Sequence, residues 1–152
     1  MDIGFYVTNI RGSNKDLIIN TINDYIIAHP YDNVVVFNDN YDAITNNNFY
    51  TLHISHAKYF KGLLLVFDIN DIFLVRSFPS PSKKIFFATE PYWQNHKTTP
   101  YKMWSEVFDN SDIDIVVNNA SLFDIYKICW KEPLCLMNNM NSQEIENVLQ
   151  KI

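Results

Sequence analysis

The chain has 152 residues, 47% of them hydrophobic, and a formal net charge of -5, which bounds it to one globular domain with a buried core. The acidic balance argues against a dedicated nucleic-acid binder, because such binding runs on clustered Lys and Arg, and the densest cationic group here is Lys83-Lys84. No apolar run approaches a membrane span and the first residues lack the pattern of a secretory signal, while Cys129 and Cys135, with no CxxC pair, read as two reduced core-type cysteines of a cytosolic protein.

Residues 3–7 read as a first strand, running into Thr8-Asn9-Ile10-Arg11-Gly12. Ser13 is placed to cap a helix, with Asp16 completing an imperfect capping box. Leu17, Ile18, Ile22, Tyr25 and Ile26 recur at helical spacing until His29-Pro30 stops the run. The β-branched segment 33–37 is a second strand. A helix of crossover length between two strands favours parallel pairing. Residues 38–48 read as a polar loop. A third strand covers 49–55, with Tyr50, Leu52 and Ile54 alternating against polar neighbours, and a short helix covers 56–61. The continuous apolar run in 63–68 predicts a fourth strand buried on both faces. A brief helix over 70–78 ends at Pro79-Ser80-Pro81. Then come a strand over 84–89, a helix over 100–108 carrying Trp104, a strand over 113–117, a helix over 121–130 and a short strand over 134–137. Ser142 is placed to cap a last helix through residue 152, with Ile145, Val148 and Leu149 on one face. No linker or repeat interrupts this alternation. It predicts a single Rossmann-like three-layer α/β domain over 1–152, with a mostly parallel sheet of about six or seven strands.

In open α/β sheets, ligands bind beyond the carboxyl ends of the strands. The polar residues there are Thr8, Asn9 and Arg11; Asn38 and Asp39; His56; Asp68; Glu90; Asn118 and Asn119; and Asn138 and Asn139. Loops are polar in any case, so polarity alone selects none of them. Arg11, Gly12 and Ser13 sit where a helix start offers backbone N–H groups to an anion. Neither GxGxxG nor GxxxxGK[ST] is present, so the usual nucleotide signatures are missing. The most distinctive segment is Thr89-Glu90-Pro91-Tyr92-Trp93. Glu90 there is a candidate general base, and Tyr92 and Trp93 a candidate stacking wall. The structural alternative has the aromatics covering the sheet and Glu90 capping a loop. Asp68 and Glu90 form a candidate acid–base pair if their strands are neighbours. His53 reads as structural, no HxxxH or HxH spacing points to a metal, and no GxSxG elbow points to a serine hydrolase. Trp104 and Trp130 read as core.

The segments Lys61-Gly62-Leu63-Leu64-Leu65-Val66-Phe67-Asp68 and Lys83-Lys84-Ile85-Phe86-Phe87-Ala88-Thr89-Glu90-Pro91-Tyr92-Trp93 resemble the amino-terminal Rossmann-like half of GT-B glycosyltransferases. More particularly, the chain is similar to small glycosyltransferase-like proteins of marine T4-like phages. The strand Asp114-Ile115-Val116-Val117-Asn118 and the helix holding Ser121 fit the same order. Heavy use of Asn, Ile, Lys, Phe and Tyr agrees with an AT-rich cellular or viral genome. The resemblance implies metal-independent chemistry without a bound cofactor. It implies a sugar, glycan acceptor or nucleotide sugar held by Asn9, Arg11, Gly12, Ser13, Tyr92, Trp93 and Asn118, with Asp68 and Glu90 catalytic. GT-B sites lie between two domains, so a protein partner or a second copy would complete the cleft. The competing expectation is a non-catalytic protein-interaction module on the same scaffold. Either way the chain is expected in the cytoplasm, that of the host if it is viral, with neither nucleic acid nor membrane as partner.

Overall fold

A computed structural model describes residues 1–8, 13–39, 49–95 and 98–152, the side chains of 13–16 excepted. Among the described residues, seven strands form one sheet: β1 (Asp2–Tyr6), β2 (Asn33–Asn38), β3 (Tyr50–His53), β4 (Leu63–Val66), β5 (Lys83–Ala88), β6 (Ile113–Val117) and β7 (Cys135–Leu136). Their spatial order is β3-β2-β1-β4-β5-β6-β7. Every pairing is parallel, so the sheet expected to be mostly parallel is wholly so. The chain runs outward from β1 through β2 to β3, then returns to the other side of β1 as β4. That reversal leaves a crevice above β1 and β4, the place where sheets of this order bind ligands.

Helices cover both faces. One face carries α1 (Ser13–Ala28) and α6 (Ser142–Leu149). The other carries a 3-10 helix (Ile54–Tyr59), α2 (Ile69–Val75), α3 (Tyr92–Asn95), α4 (Tyr101–Phe108) and α5 (Ala120–Cys129). Strand residues alternate between the two cores because successive side chains point to opposite faces. Leu64, Val66 and Phe86 pack with Ile72, Trp104, Phe108 and Tyr126 on the second face. Phe5, Leu65 and Phe87 pack with Ile22, Tyr25, Ile145 and Val148 on the first. Gly62 precedes β4 where β1 passes so close that a Cβ would lie 2.1 Å from the Asp2 carbonyl oxygen.

Three of the helices, α2, α5 and α6, begin on side-chain caps. Asp68 Oδ1 accepts from the Asn70 amide at 2.7 Å, Asn119 Oδ1 from Leu122 at 2.8 Å and Asn141 Oδ1 from Glu144 at 2.9 Å. These bonds satisfy amides that have no partner inside their helix. Asn141 therefore caps α6, and Ser142, expected in that role, is its first residue. Likewise α1 begins at Ser13 itself. Asp68, expected as the last residue of a strand, starts α2 instead.

Two further expectations change. Tyr50 and Leu52 lie on β3, the strand at the end of the sheet order, and are 81% and 43% exposed. Cys129, expected in the core with Cys135, is exposed at the end of α5. Residues 40–48, expected as a loop, lie outside the described residues, as do Asn9, Arg11 and Gly12. No helix among the described residues is long and apolar enough to cross a membrane.

Candidate functional site

A cavity of about 280 Å³ opens at the carboxyl ends of β4 to β7, on the α1 and α6 face. Its floor is Phe67 and Phe87, with Val116 beside them, and Ala88 and Val117 adjoin it. Leu17 and Ile18 of α1 form one wall, and Met137 and Met140, which flank the turn between β7 and α6, form the other. Thr89, Asn118 and Asn138 bring polar groups. None of these side chains is ionisable. The wall of α1 is tied to the loop before α6 through Thr21, whose hydroxyl donates to the Met140 carbonyl at 3.1 Å.

A second polar centre sits at the crevice between β1 and β4. The Thr8 hydroxyl donates to Asp71 Oδ1 at 2.5 Å, and the Thr8 amide to Oδ2 at 3.3 Å. Asp71 is 6% exposed. Burial raises its carboxyl above the ordinary range; the Thr8 hydrogen bonds oppose that shift, and the charges of Asp68 and Asp39 add to it. Beside it Asn38 Nδ2 donates to the Val7 carbonyl at 2.8 Å, fixing the end of β2 against β1. The Tyr6 hydroxyl is buried with no hydrogen-bond partner among the described residues. Burial, with smaller contributions from the charges of Asp71 and Asp39, pushes its phenol up to about 12.

Asp68 and Glu90 follow the neighbouring strands β4 and β5. Besides capping α2 through Asp68, the pair holds loop structure through Glu90, whose Oε2 accepts from Asn95 Nδ2 at 2.7 Å and whose carbonyl accepts from the Tyr126 hydroxyl at 3.1 Å. Tyr92 is buried and its hydroxyl meets Thr89 Oγ1 at 3.0 Å. Burial raises the Tyr92 phenol, the Thr89 hydrogen bonds oppose this, and the charges of Glu90 and Asp68 raise it further. Both carboxylates thus lie within electrostatic reach of one hydroxyl. Trp93 packs edge-on against Phe108, Tyr126 and Trp130, at 5.6, 4.9 and 5.6 Å between ring centroids. Tyr92 and Trp93 therefore belong to the aromatic core of the α4 and α5 face, and the cavity opens on the other face.

Comparison with known proteins found no matching family model, curated protein or solved structure. The functional reading of this chain therefore stands on its own geometry.

Of the residues singled out from the sequence, Asn118 lines the cavity, and Asp68 and Glu90 flank the neighbouring strand ends. Asn9, Arg11, Gly12 and the Ser13 side chain lie outside the described residues. Sequence reasoning missed Asp71, Met137 and Met140. For Asp71 the signal was present: Asp68-Ile69-Asn70-Asp71 has the spacing of an N-cap and the third residue of a helix. For the methionines, which read as strand and loop, no local signal exists; only the meeting of α1 with the β7 turn makes them a wall. Among the described residues, no group of three or more His, Cys, Asp or Glu is placed to hold a metal ion.

Proposed function

We propose that this domain binds a sugar, a glycan acceptor or a nucleotide sugar across the carboxyl ends of its strands, as one wall of a metal-independent, GT-B-like glycosyl-transfer site. The observation that carries the reading is the cavity at the ends of β4 to β7, uncharged in its lining among the described residues, rimmed by Thr89, Asn118 and Asn138 and neighboured by the Asp68 and Glu90 loops. Neutral amides and hydroxyls both donate and accept, which suits a hydroxyl-rich ligand. A carboxylate at Glu90 would take the proton of an acceptor hydroxyl as its oxygen attacks the anomeric carbon of a nucleotide sugar, while the bond from that carbon to the phosphate oxygen breaks and the nucleotide leaves with the electron pair. A protein partner or a second copy would close the cleft from above. The exposed thiol of Cys129 suits a reducing compartment such as the cytoplasm, in the host cell if the protein is of phage origin.

The test is thermal unfolding of the whole chain against nucleotide sugars and free glycans. A ligand at a hundred times its Kd adds about 2.7 kcal/mol, which for a domain of this size raises Tm by roughly 5–10 °C. Glu90→Gln should keep that shift and lose transfer. A flat response across the panel overturns the reading. One observation favours a second reading, a non-catalytic interaction module: Tyr50, Leu52 and Tyr59 present exposed apolar surface around β3, the edge strand of the sheet among the described residues. That reading expects a stable complex or homo-oligomer that Glu90→Ala leaves intact.

A further inference from the structure

We propose that the cavity at the ends of β4 to β7 is a slot for an uncharged planar heteroaromatic ring, of which a nucleobase is the type. The inference rests on reading this cavity as a ligand site and narrows what enters it. Three rings form a ladder across the floor of the α1 and α6 face. Phe5 and Phe67 lie 6.2 Å apart with their planes 4° from parallel, and Phe67 and Phe87 lie 4.8 Å apart at 10°. The ladder stops at Phe87, whose register partner on β6 is Val116. Val116 also lines the cavity, so the open space continues the ladder where the side chain is small. A flat ring inserted there stacks on Phe87 in the offset manner that aromatic pairs prefer. Met137 and Met140 close the opposite side with flexible thioethers, which mould to a ring and contact it favourably.

Size and charge narrow the occupant. At about 280 Å³ the cavity falls just below the roughly 300–1,000 Å³ of sites that enclose a drug-sized ligand. It has room for one or two fused rings. Every side chain that lines it among the described residues is uncharged, which suits a neutral ring. The rim is built to read an edge. Asn119 is held as the cap of α5, and its Nδ2 donates to Asn118 Oδ1 at 2.7 Å. That bond takes one of the two acceptor positions of Asn118 Oδ1, and its Nδ2 can donate to a ring nitrogen or carbonyl. Asn138 and Thr89 provide further donors and acceptors.

The experiment is titration of the full chain, labelled at methionine methyls, with adenosine, uridine, a nucleotide sugar, indole and glucose, alongside thermal unfolding. Nucleosides should shift the Met137 and Met140 signals saturably and raise Tm. Val116→Phe places a ring of the protein's own in the slot and should weaken nucleoside binding at least about tenfold. Asn118→Ala, on the exposed rim, is the control that spares the core. Loss of one hydrogen bond there should weaken nucleosides by roughly three- to tenfold and leave indole unchanged. Indole binding as tightly as the nucleosides, with Asn118→Ala without effect, overturns the heteroaromatic assignment. Glucose or a nucleotide sugar that stabilises the protein without moving either methionine also overturns the slot, while glycosyl binding stands. Nucleoside binding with no response to any sugar supports the slot and removes the glycosyl reading. Silence from all of the ligands removes both.

Discussion

Thr8 and Asp71 show how one residue pair fixes the crevice. Their two hydrogen bonds tie the end of β1 to the first turn of α2, across the point where the strand order reverses. Burial raises the Asp71 carboxyl, so the folded state holds its proton more tightly than the unfolded chain. The stability Asp71 contributes is therefore complete at acid pH, below its unfolded value, and is lost as pH rises through the folded one. Thr8→Val removes a bond that opposes the shift and raises the carboxyl further. At pH 7 it should cost about 1–3 kcal/mol, the penalty of an under-satisfied buried acceptor, and clearly less near pH 3.5, where the carboxyl is protonated. Urea unfolding at the two pH values measures this; an equal loss at both would show that Asp71 is not the group responsible. Tyr6 gives the opposite case. Its buried hydroxyl has no partner among the described residues, so Tyr6→Phe should leave neutral stability unchanged or raise it by up to about 1 kcal/mol. Because its phenol titrates up near 12 when folded and near 10 otherwise, wild-type stability should fall across that alkaline interval, and less steeply in Tyr6→Phe. The Thr8–Asp71 contact was not legible in the sequence, because it depends on the end of β1 and α2 meeting across 63 residues of chain.

At the scale of elements the sequence was informative, because strand burial and helix amphipathicity are written in local period. The run Leu63-Leu64-Leu65-Val66 became a strand whose last three residues are fully buried, as its unbroken apolarity implies for a parallel sheet. The strand at Ile113–Val117 has the limits that its pattern predicts. Period carries less information at boundaries, where one side chain decides. Asn141 and Ser142 are both good capping residues, and local sequence alone does not choose between them. The structure chooses Asn141, whose carbonyl oxygen reaches the Glu144 amide. Asn141→Ala should accordingly cost about 1 kcal/mol, within the usual 0.5–2, and Ser142→Ala only a few tenths. Thermal denaturation of the pair decides it, and the reverse ranking would move the cap. Period was also misleading at β3. Tyr50 and Leu52 alternate as a half-buried strand should, yet an edge position leaves them outside the helix layer. The candidate site was legible only in part for the same reason: strand ends such as Asn118 can be read from the chain, and the walls that oppose them cannot.

For the molecule as a whole, the sheet is the shared wall of two cores. Along β4, Leu64 and Val66 enter one core and Leu65 enters the other. The same backbone therefore has to be held from both sides, and neither helix layer has a sheet of its own. All three tryptophans, Trp93, Trp104 and Trp130, belong to the α4 and α5 face. Ile145, wholly buried, belongs to the other, beneath α6. Ile145→Ala removes packing that no tryptophan touches, at a cost of about 2–5 kcal/mol for a buried aliphatic truncation. If the sheet couples the two faces, that loss must appear in tryptophan fluorescence as fully as in far-ultraviolet circular dichroism. Both probes should shift to the same lower denaturant midpoint with an unchanged slope, as a two-state domain requires. A fluorescence transition that stays at the wild-type midpoint while the dichroism moves would mean that the α1 and α6 layer unfolds separately. The cavity between α1 and the β7 turn would then be a boundary that opens and closes independently of the aromatic core. Coincident transitions make it a preformed site, held at the rigidity of the whole domain, with the cost of ordering its walls met by folding.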